Sequence, residues 1–332
     1  MIMTKTPFRI SLFGGGSDLE AFYSQSPGAV LSFTIDKYMY LSVHNFFEKD
    51  KIRAKYSRTE TVNDPRDINH PIIREVFLQF KMKGGVELSS IADIPAGTGM
   101  GSSSCFTVGL LQNLYARHNK FVPKQRLAEE ACSIEIEKLK EPIGKQDQYA
   151  AAFGGINIFK FNTNGFVEVE QVNLSQKVFQ QFQSHMHLFY TGQTRSTSSV
   201  LNEQKSNMQS DEKFKMMQQM VASVFKARDL LYAGQWQELG ELLHQNWLYK
   251  KQMASKISNP EIDEAYERGM KAGAWGGKLL GAGGGGFLLF ICPPEKAVNL
   301  QAALGLEKLN FKVEQEGSKV IYFDETNVDE RV

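Results

Sequence analysis

Three glycine-rich stretches in this chain stand beside side chains that can hold an anion or move a proton. The middle one, Asp93 to Leu114 (DIPAGTGMGSSSCFTVGLLQNL), places Gly97, Gly99 and Gly101 after Pro95 and ahead of Ser102, Ser103 and Ser104. Phe106, Leu110 and Leu114 then recur at helical spacing. Glycine accepts positive φ and lets backbone come close to a ligand, and a serine can cap the helix that starts there. A helix start also offers unpaired N–H groups and the positive end of the helix dipole, so the pattern reads as a phosphate cradle. Two familiar loops are excluded. Gly101 is followed directly by Ser102 with no lysine, which rules out a Walker loop, and Ser102 stands where the third small residue of a dinucleotide fingerprint belongs.

Other groups with chemical capacity flank this cradle. Phe8 to Phe13 alternates as a half-buried strand carrying Arg9, and runs into Gly14-Gly15-Gly16-Ser17-Asp18. Asp18 there meets a polar ligand or caps a helix over Leu19 to Tyr23. Lys124 to Lys140 reads as a helix with Glu135 and Glu137, and solvated surface is the ordinary fate of such residues. Glu141 to Gly155 (EPIGKQDQYAAAFGG) breaks that helix and presents Asp147 close to Lys145. An aspartate so placed is either a general base beside a cation or a helix cap. Thr191-Gly192-Gln193-Thr194-Arg195 ends a strand over His187 to Tyr190 with hydroxyls, amides and an arginine together, a composition that suits a plain turn equally well. Lys278 to Phe287 (KLLGAGGGGF) puts Gly281 and Gly283 to Gly286 ahead of a buried strand, Phe287 to Cys292.

The rest of the chain must position these groups. Its 332 residues suffice for two domains, and 42% hydrophobic with 23% charged residues is ordinary for a globular protein. A net charge of +1 gives no ground for a nucleic-acid or membrane partner built on bulk charge. Cys105, Cys132 and Cys292 lie far apart in apolar segments without metal-ligand spacing, as reduced, buried thiols of a cytoplasmic protein would. The N-terminus has no leader pattern, and no apolar run reaches membrane-spanning length. Ala29 to Ile35 and Tyr38 to Val43 read as a hairpin turning at Asp36-Lys37. Pro71 to Met82 reads as a helix, and Ile156 to Phe161 with Phe166 to Val172 as a second hairpin. From Asp211 to Ile257 the periodicity is helical, with Trp236, Leu239, Leu243 and Trp247 on one face. The tail reads as a helix over Pro294 to Leu304 and two strands, Phe311 to Gln315 and Val320 to Phe323, half of a ferredoxin-like unit. The expected class is α+β.

Taken together and in order, PFRISLFGGGSD, PAGTGMGSSS and KLLGAGGGGF resemble the three signature motifs of the GHMP small-molecule kinases, a family that includes galactokinase, homoserine kinase and mevalonate kinase. The middle motif is similar to the family's Pro-x-x-x-Gly-Leu-Gly-Ser-Ser, with Met100 for leucine. Gly14-Gly15-Gly16-Ser17-Asp18, where galactokinases read Gly-Glu-His-x-Asp, looks most like the D-glycero-α-D-manno-heptose 7-phosphate kinases, as do Gly144 to Gln148 and Thr191-Gly192. The resemblance implies a two-domain GHMP kinase fold, ribosomal S5 domain 2-like over 1–172 and ferredoxin-like over 173–332, with the active site between.

The resemblance also implies roles. Pro95, Gly97, Gly99, Gly101, Ser102, Ser103 and Ser104 would bind ATP, and Ser103 with Glu135 would hold Mg2+. Asp147 would be the catalytic base, and Arg9 would pair with it and stabilise the attacking oxygen. Gly15, Gly16, Ser17, Asp18, Thr191, Gly192, Gly283, Gly284 and Gly285 would contact the sugar, and Arg195, backed by Lys145, its phosphate. The implied reaction is phosphorylation of the anomeric hydroxyl of D-glycero-α-D-manno-heptose 7-phosphate to the 1,7-bisphosphate. The alternatives are an anomeric kinase for fucose, galactose or a uronic acid, and a sugar-binding protein without turnover. The partners implied are ATP and a small-molecule sugar phosphate, and the sequence leaves a homodimer open.

Overall fold

The computed structural model describes residues 1–192 and 198–324. Strands β1 (Ile2–Phe13), β2 (Gly28–Asn45), β3 (Ile52–Lys55), β4 (Thr59–Val62), β5 (Val86–Ala92), β6 (Ile156–Phe161) and β7 (Val167–Gln171) belong to one large sheet. A second sheet holds β8 (Met186–Tyr190), β9 (Gly276–Leu279), β10 (Phe287–Ile291) and β11 (Glu307–Leu309), in the order β11-β8-β10-β9. The chain then returns to the first sheet, where β12 (Val313–Glu314) pairs with β2 and β13 (Lys319–Phe323) with β1. The tail therefore closes the first sheet instead of extending a ferredoxin-like unit. Strands β1 to β7 precede residue 172 and the whole second sheet follows it, with only β12 and β13 crossing back.

The expected hairpin at Asp36-Lys37 is replaced by one long strand. β2 runs unbroken through it, pairing with β6 over Gly28 to Phe33 and with β5 over Met39 to Asn45. Against β1 its register jumps from Tyr38 opposite Pro7 to Thr34 opposite Arg9, a bulge in place of a turn. Asp36-Lys37 lacks the glycine or asparagine of a two-residue hairpin, and its backbone is occupied elsewhere. Asp36 exchanges hydrogen bonds with the Lys312 backbone, and the Tyr38 amide donates to Asp93.

Eleven α-helices lie among the described residues: α1 (Glu20–Tyr23), α2 (Pro71–Gln79), α3 (Ser102–Arg117), α4 (Lys124–Cys132), α5 (Gln146–Phe153), α6 (Gln176–His185), α7 (Ser198–Asn207), α8 (Asp211–Ala233), α9 (Trp236–Gln252), α10 (Pro260–Lys271) and α11 (Ala297–Leu304). Both α3 and α8 pack against β1 and β2, and α9 packs against β9. The second sheet is buried on both faces, which is why β10 reads as the unbroken apolar run FLLFI. Leu188, Leu289 and Ile291 join the core shared with the first sheet, while Phe189, Leu288 and Phe290 join a second core with Trp247 and Tyr266. No described helix is long and apolar enough to cross a membrane.

The glycine stretches meet where the two sheets meet. A Cβ on Gly281, whose φ is +76°, would lie 2.5 Å from the Gly99 Cα, and one on Gly286 would lie 2.3 Å from the Thr98 carbonyl oxygen. Gly281→Ala should therefore lower the melting temperature by several degrees more than Gly305→Ala, whose φ is +63° with nothing within 4 Å. Calorimetry on the two variants separates packing from backbone strain. Equal losses would mean that the contact between the loops contributes nothing.

Candidate active site

Arg9 enters the space between the sheets from the inward face of β1. Its guanidinium donates from Nε to Asp147 Oδ1 and from Nη2 to Oδ2, both at 2.6 Å, and from Nη1 to the Gly99 carbonyl at 2.6 Å. The fork is a bidentate, charge-assisted pair, with Arg9 5% and Asp147 23% exposed. Asp147 is thus no helix cap; the cap position of α5 is Lys145. The carboxylate faces a cavity of about 250 Å³ lined by the 97–104 loop, Gly15, Gly16, Asp18 and Gln146, and on the other side by Gln204, Lys250, Lys278 and Gly281.

The loop itself is built to present donors. Gly97, Gly99 and Gly101 all have positive φ, and Gly101, at φ 78°, is the cap residue of α3. No serine side chain caps that helix, contrary to the expectation from the sequence, so its first N–H groups are not taken up by a serine hydroxyl. Ser103 Oγ instead donates to Glu135 Oε1 at 2.5 Å.

Glu135 lies in a π-helical turn, Ser133–Lys138, that follows α4; this extra-wide turn carries it inward while Glu137 remains exposed. Gln148 Nε2 donates to its other oxygen at 2.8 Å. The carboxylate is fully buried without a cation in contact among the described residues, and burial pushes its pKa up to about 7 against the pull of the Ser103 and Gln148 hydrogen bonds.

Asp18 is likewise buried and faces the cavity instead of capping α1. It accepts from the Gly16 amide at 2.9 Å and the Gln146 amide at 3.3 Å, and its pKa is raised by burial and by Asp147. Gly144 is obligatory beside it, since a Cβ there would lie 2.0 Å from Asp18 Oδ2.

Several expected contacts fall elsewhere. Ser17 is fully buried, donating to the Ala29 carbonyl and accepting from its amide, so it secures the backbone and has no access to a sugar. Thr191 exchanges hydrogen bonds with Gly286 and fastens the third glycine loop. Of that loop, Gly281 and Ala282 line the cavity; Gly283 and Gly284 pack on Ile257, and neither they nor Gly285 do so. Gly192 and the exposed Pro95 lie outside it as well. Lys145 donates to the Gly165 carbonyl at 2.8 Å and lies over the Tyr23 ring, away from the cavity. Arg195 is outside the described residues.

Residues given no site role in the sequence reading complete the walls. Lys250 and Lys278 are buried lysines, and Ser11 Oγ, Gln146 Oε1 and Gln204 Nε2 are buried polar atoms without a hydrogen-bond partner among the described residues. Lys250 had a signal, since it continues the Trp236, Leu239, Leu243, Trp247 stripe into the interior. A cavity with unsatisfied donors and acceptors on several sides suits a polyhydroxylated ligand.

Two family models match the chain, the GHMP kinases N terminal domain at residues 71–155 and the GHMP kinases C terminal domain at 227–309. This chain belongs to the GHMP kinases. It is similar to the D-glycero-alpha-D-manno-heptose 7-phosphate kinase of Campylobacter jejuni, at 29% identity over 96% of this chain and 98% of that one. It is also similar to the galactokinase of Pyrococcus furiosus, at 25% identity over 93% and 94%. Its fold matches a crystal structure of a D-glycero-D-manno-heptose 1-phosphate kinase from Bacteroides thetaiotaomicron with a TM-score of 0.80, at 23% identity, covering 98% of this chain and all of that one. The chain is a phosphotransferase acting on an alcohol, a sugar kinase of this family.

Kinases of this family take the phosphoryl group from ATP, generally with Mg2+. Among the described residues no three carboxylate, histidine or cysteine side chains cluster as a metal cage. A hydroxyl and one carboxylate, as Ser103 and Glu135 supply, nevertheless fit an ion that keeps most of its waters.

The cost of burying Glu135 gives a test. Its folded pKa is raised, so the folded state binds the proton more tightly than the unfolded chain between about 4.5 and 7. Stability from this group falls as pH rises through that window and stays low above it. Glu135→Gln should raise the melting temperature without nucleotide at pH 8, by about 2–5 °C, and change it little at pH 5. Mg2+ should raise it at pH 8 in the parent protein but not in the variant. A lower melting temperature for Glu135→Gln at pH 8 would show that the protein needs the charged carboxylate for its own structure.

Proposed function

We propose that the protein transfers the γ-phosphoryl group of ATP to the anomeric hydroxyl of D-glycero-α-D-manno-heptose 7-phosphate, giving the 1,7-bisphosphate and ADP. The observation that carries this reading is the Arg9–Asp147 fork set directly against the glycine loop at Gly99. The substrate assignment is supported by the near full-length similarity to a kinase of that name.

The phosphates of ATP would lie on the 97–104 loop, with the first turn of α3 and the serine hydroxyls as donors. Ser103 and Glu135 would hold Mg2+, which supplies charge neutralisation between the phosphates. Asp147 has a lone pair free on each oxygen beyond those used by Arg9. One of them accepts the proton of the anomeric hydroxyl as its oxygen bonds to the γ-phosphorus. The bond from that phosphorus to the bridging oxygen breaks, and ADP leaves with the electron pair. Arg9 fixes the Asp147 carboxylate in one orientation and places positive charge beside the forming alkoxide. Gly15, Gly16, Asp18 and Gln146 would meet the sugar hydroxyls, since all four line the wall next to Asp147.

ADP release should be measured with Mg-ATP against the heptose 7-phosphate, mannose, fucose and galactose. Turnover is expected with the heptose phosphate, falling about 10²–10⁴-fold in Asp147→Asn. Arg9→Lys, which keeps the charge and loses the fork, should lower kcat with little change in the KM for ATP. Turnover with an unphosphorylated sugar in preference would overturn the substrate assignment and leave the kinase. Full activity of Asp147→Asn would remove the base.

A further inference from the structure

Two buried ammonium groups of the cavity have no part in the chemistry above. Lys250, on α9, donates to the Gly15 carbonyl at 3.2 Å and to Gln204 Oε1 at 3.1 Å. Lys278, on β9, donates to the carbonyls of Ser11 at 2.9 Å and Leu12 at 3.1 Å. Their side chains are 6% and 5% exposed, and neither reaches a carboxylate at ion-pair distance among the described residues. A buried charge without a counter-ion is costly, and carbonyl oxygens compensate it only in part.

Gln204 adds a donor at the same place. Lysine offers only donors, so the atom facing Lys250 must be the amide oxygen and the amide nitrogen points the other way. That nitrogen is buried and has no acceptor among the described residues. Turning the amide over would set its NH2 against the ammonium. Two ammonium groups and an orphan N–H therefore lie on one side of the cavity, three donors beside the free Ser11 hydroxyl.

The register of β1 places this wall relative to the reacting groups. Arg9 holds Asp147 and Gly99, Lys278 sits on the carbonyls of Ser11 and Leu12, and Lys250 sits on that of Gly15. At about 3.3 Å per residue the Ser11 and Leu12 carbonyls lie about 7–10 Å along the strand from Arg9. That is about the length of one sugar.

We propose that Lys250, Lys278 and Gln204 form a second anion site, which takes the phosphate carried by the sugar and makes the enzyme select a sugar phosphate over the free sugar. The proposal rests on the sugar-kinase reading and assigns to this wall the function expected of Arg195 and Lys145. It also accounts for the electrostatics. Burial draws the Lys250 pKa down to about 8 and that of Lys278 to about 7, and an arriving phosphate favours the charged form of both. Asp18, the carboxylate that attracts Lys250 through space, is itself engaged by the Gly16 and Gln146 amides.

The test compares kcat/KM for D-glycero-D-manno-heptose 7-phosphate and for the same heptose without phosphate, in the parent protein, Lys250→Met and Gln204→Leu. Alongside it, the rise in melting temperature caused by inorganic phosphate is measured with Mg-ADP filling the nucleotide site. In both variants the ratio of kcat/KM for the phosphorylated sugar to that for the free one should fall about 10²-fold, and the response to phosphate should be lost. Equal losses on both sugars, or a phosphate response that survives in both variants, would overturn the proposal. Should Lys250→Met fail to fold, Gln204→Leu decides by the same criteria. If the parent protein prefers the free heptose, the 7-phosphate assignment falls, and the phosphate response then decides the anion site by itself.

Discussion

The ion pair between Arg9 and Asp147 is the contact on which the arrangement of the site depends. One guanidinium joins three segments far apart in sequence: β1, the glycine loop through the Gly99 carbonyl, and the start of α5. Because the pair is largely buried, losing either member leaves a charge without compensation, which costs far more than an exposed pair contributes. The strand that carries Arg9 must therefore be held firmly. β1 is hydrogen-bonded on both edges, to β2 and to the returning β13, and covered by α3. The return of the tail to the first sheet, which looks arbitrary as topology, gives the arginine strand its second neighbour.

A second constraint fixes the far wall. The 97–101 loop and the 281–286 loop approach so closely that side chains on Gly99 or Gly281 would collide with backbone, and Thr191 fastens the second loop through Gly286. Much of the glycine in the third motif thus serves contact between protein segments. That contact brings Lys278 and Lys250 from the second half of the chain up to the carbonyls of β1 and Gly15.

This division explains what could be read from the sequence. Locally Asp18 and Asp147 read equally well as helix caps and Glu135 as solvated surface; the resemblance of the three motifs taken together singled them out with Arg9 and the glycine loop, and the structure gathers them around one cavity. The positions around them were harder. Ser17 and Thr191 are polar residues near glycine, and only coordinates show that their hydroxyls bond backbone. The Asp36-Lys37 turn failed because β2 has its partners on other strands, and pairing at long sequence distance leaves no local mark. β9 went unread, a four-residue strand beginning with two glycines. Lys250 occupies a stripe position of a mostly apolar buried helix face, where a lysine is unusual enough to be noticed. Gln204 lies on a helix with a weak amphipathic pattern, so nothing in its neighbourhood marked it.

The cavity is electrostatically unfavourable to the protein that forms it. Glu135 and Asp18 are raised and Lys250 and Lys278 lowered, and for all four the leading cause is burial. Carboxylates and lysines are nonetheless both present, and their pairing with one another would remove much of the cost. The fold prevents this by spending the Lys250 and Lys278 donors on carbonyls and the Glu135 acceptors on Ser103 and Gln148. Separated in this way, the acidic end suits a cation beside the phosphate loop and the basic wall suits an anion farther along β1. A fold selected for stability alone would merge the two sets into salt bridges or replace them with apolar residues. Held apart in this way, each by hydrogen bonds to uncharged groups, the two sets suit ligands of opposite sign.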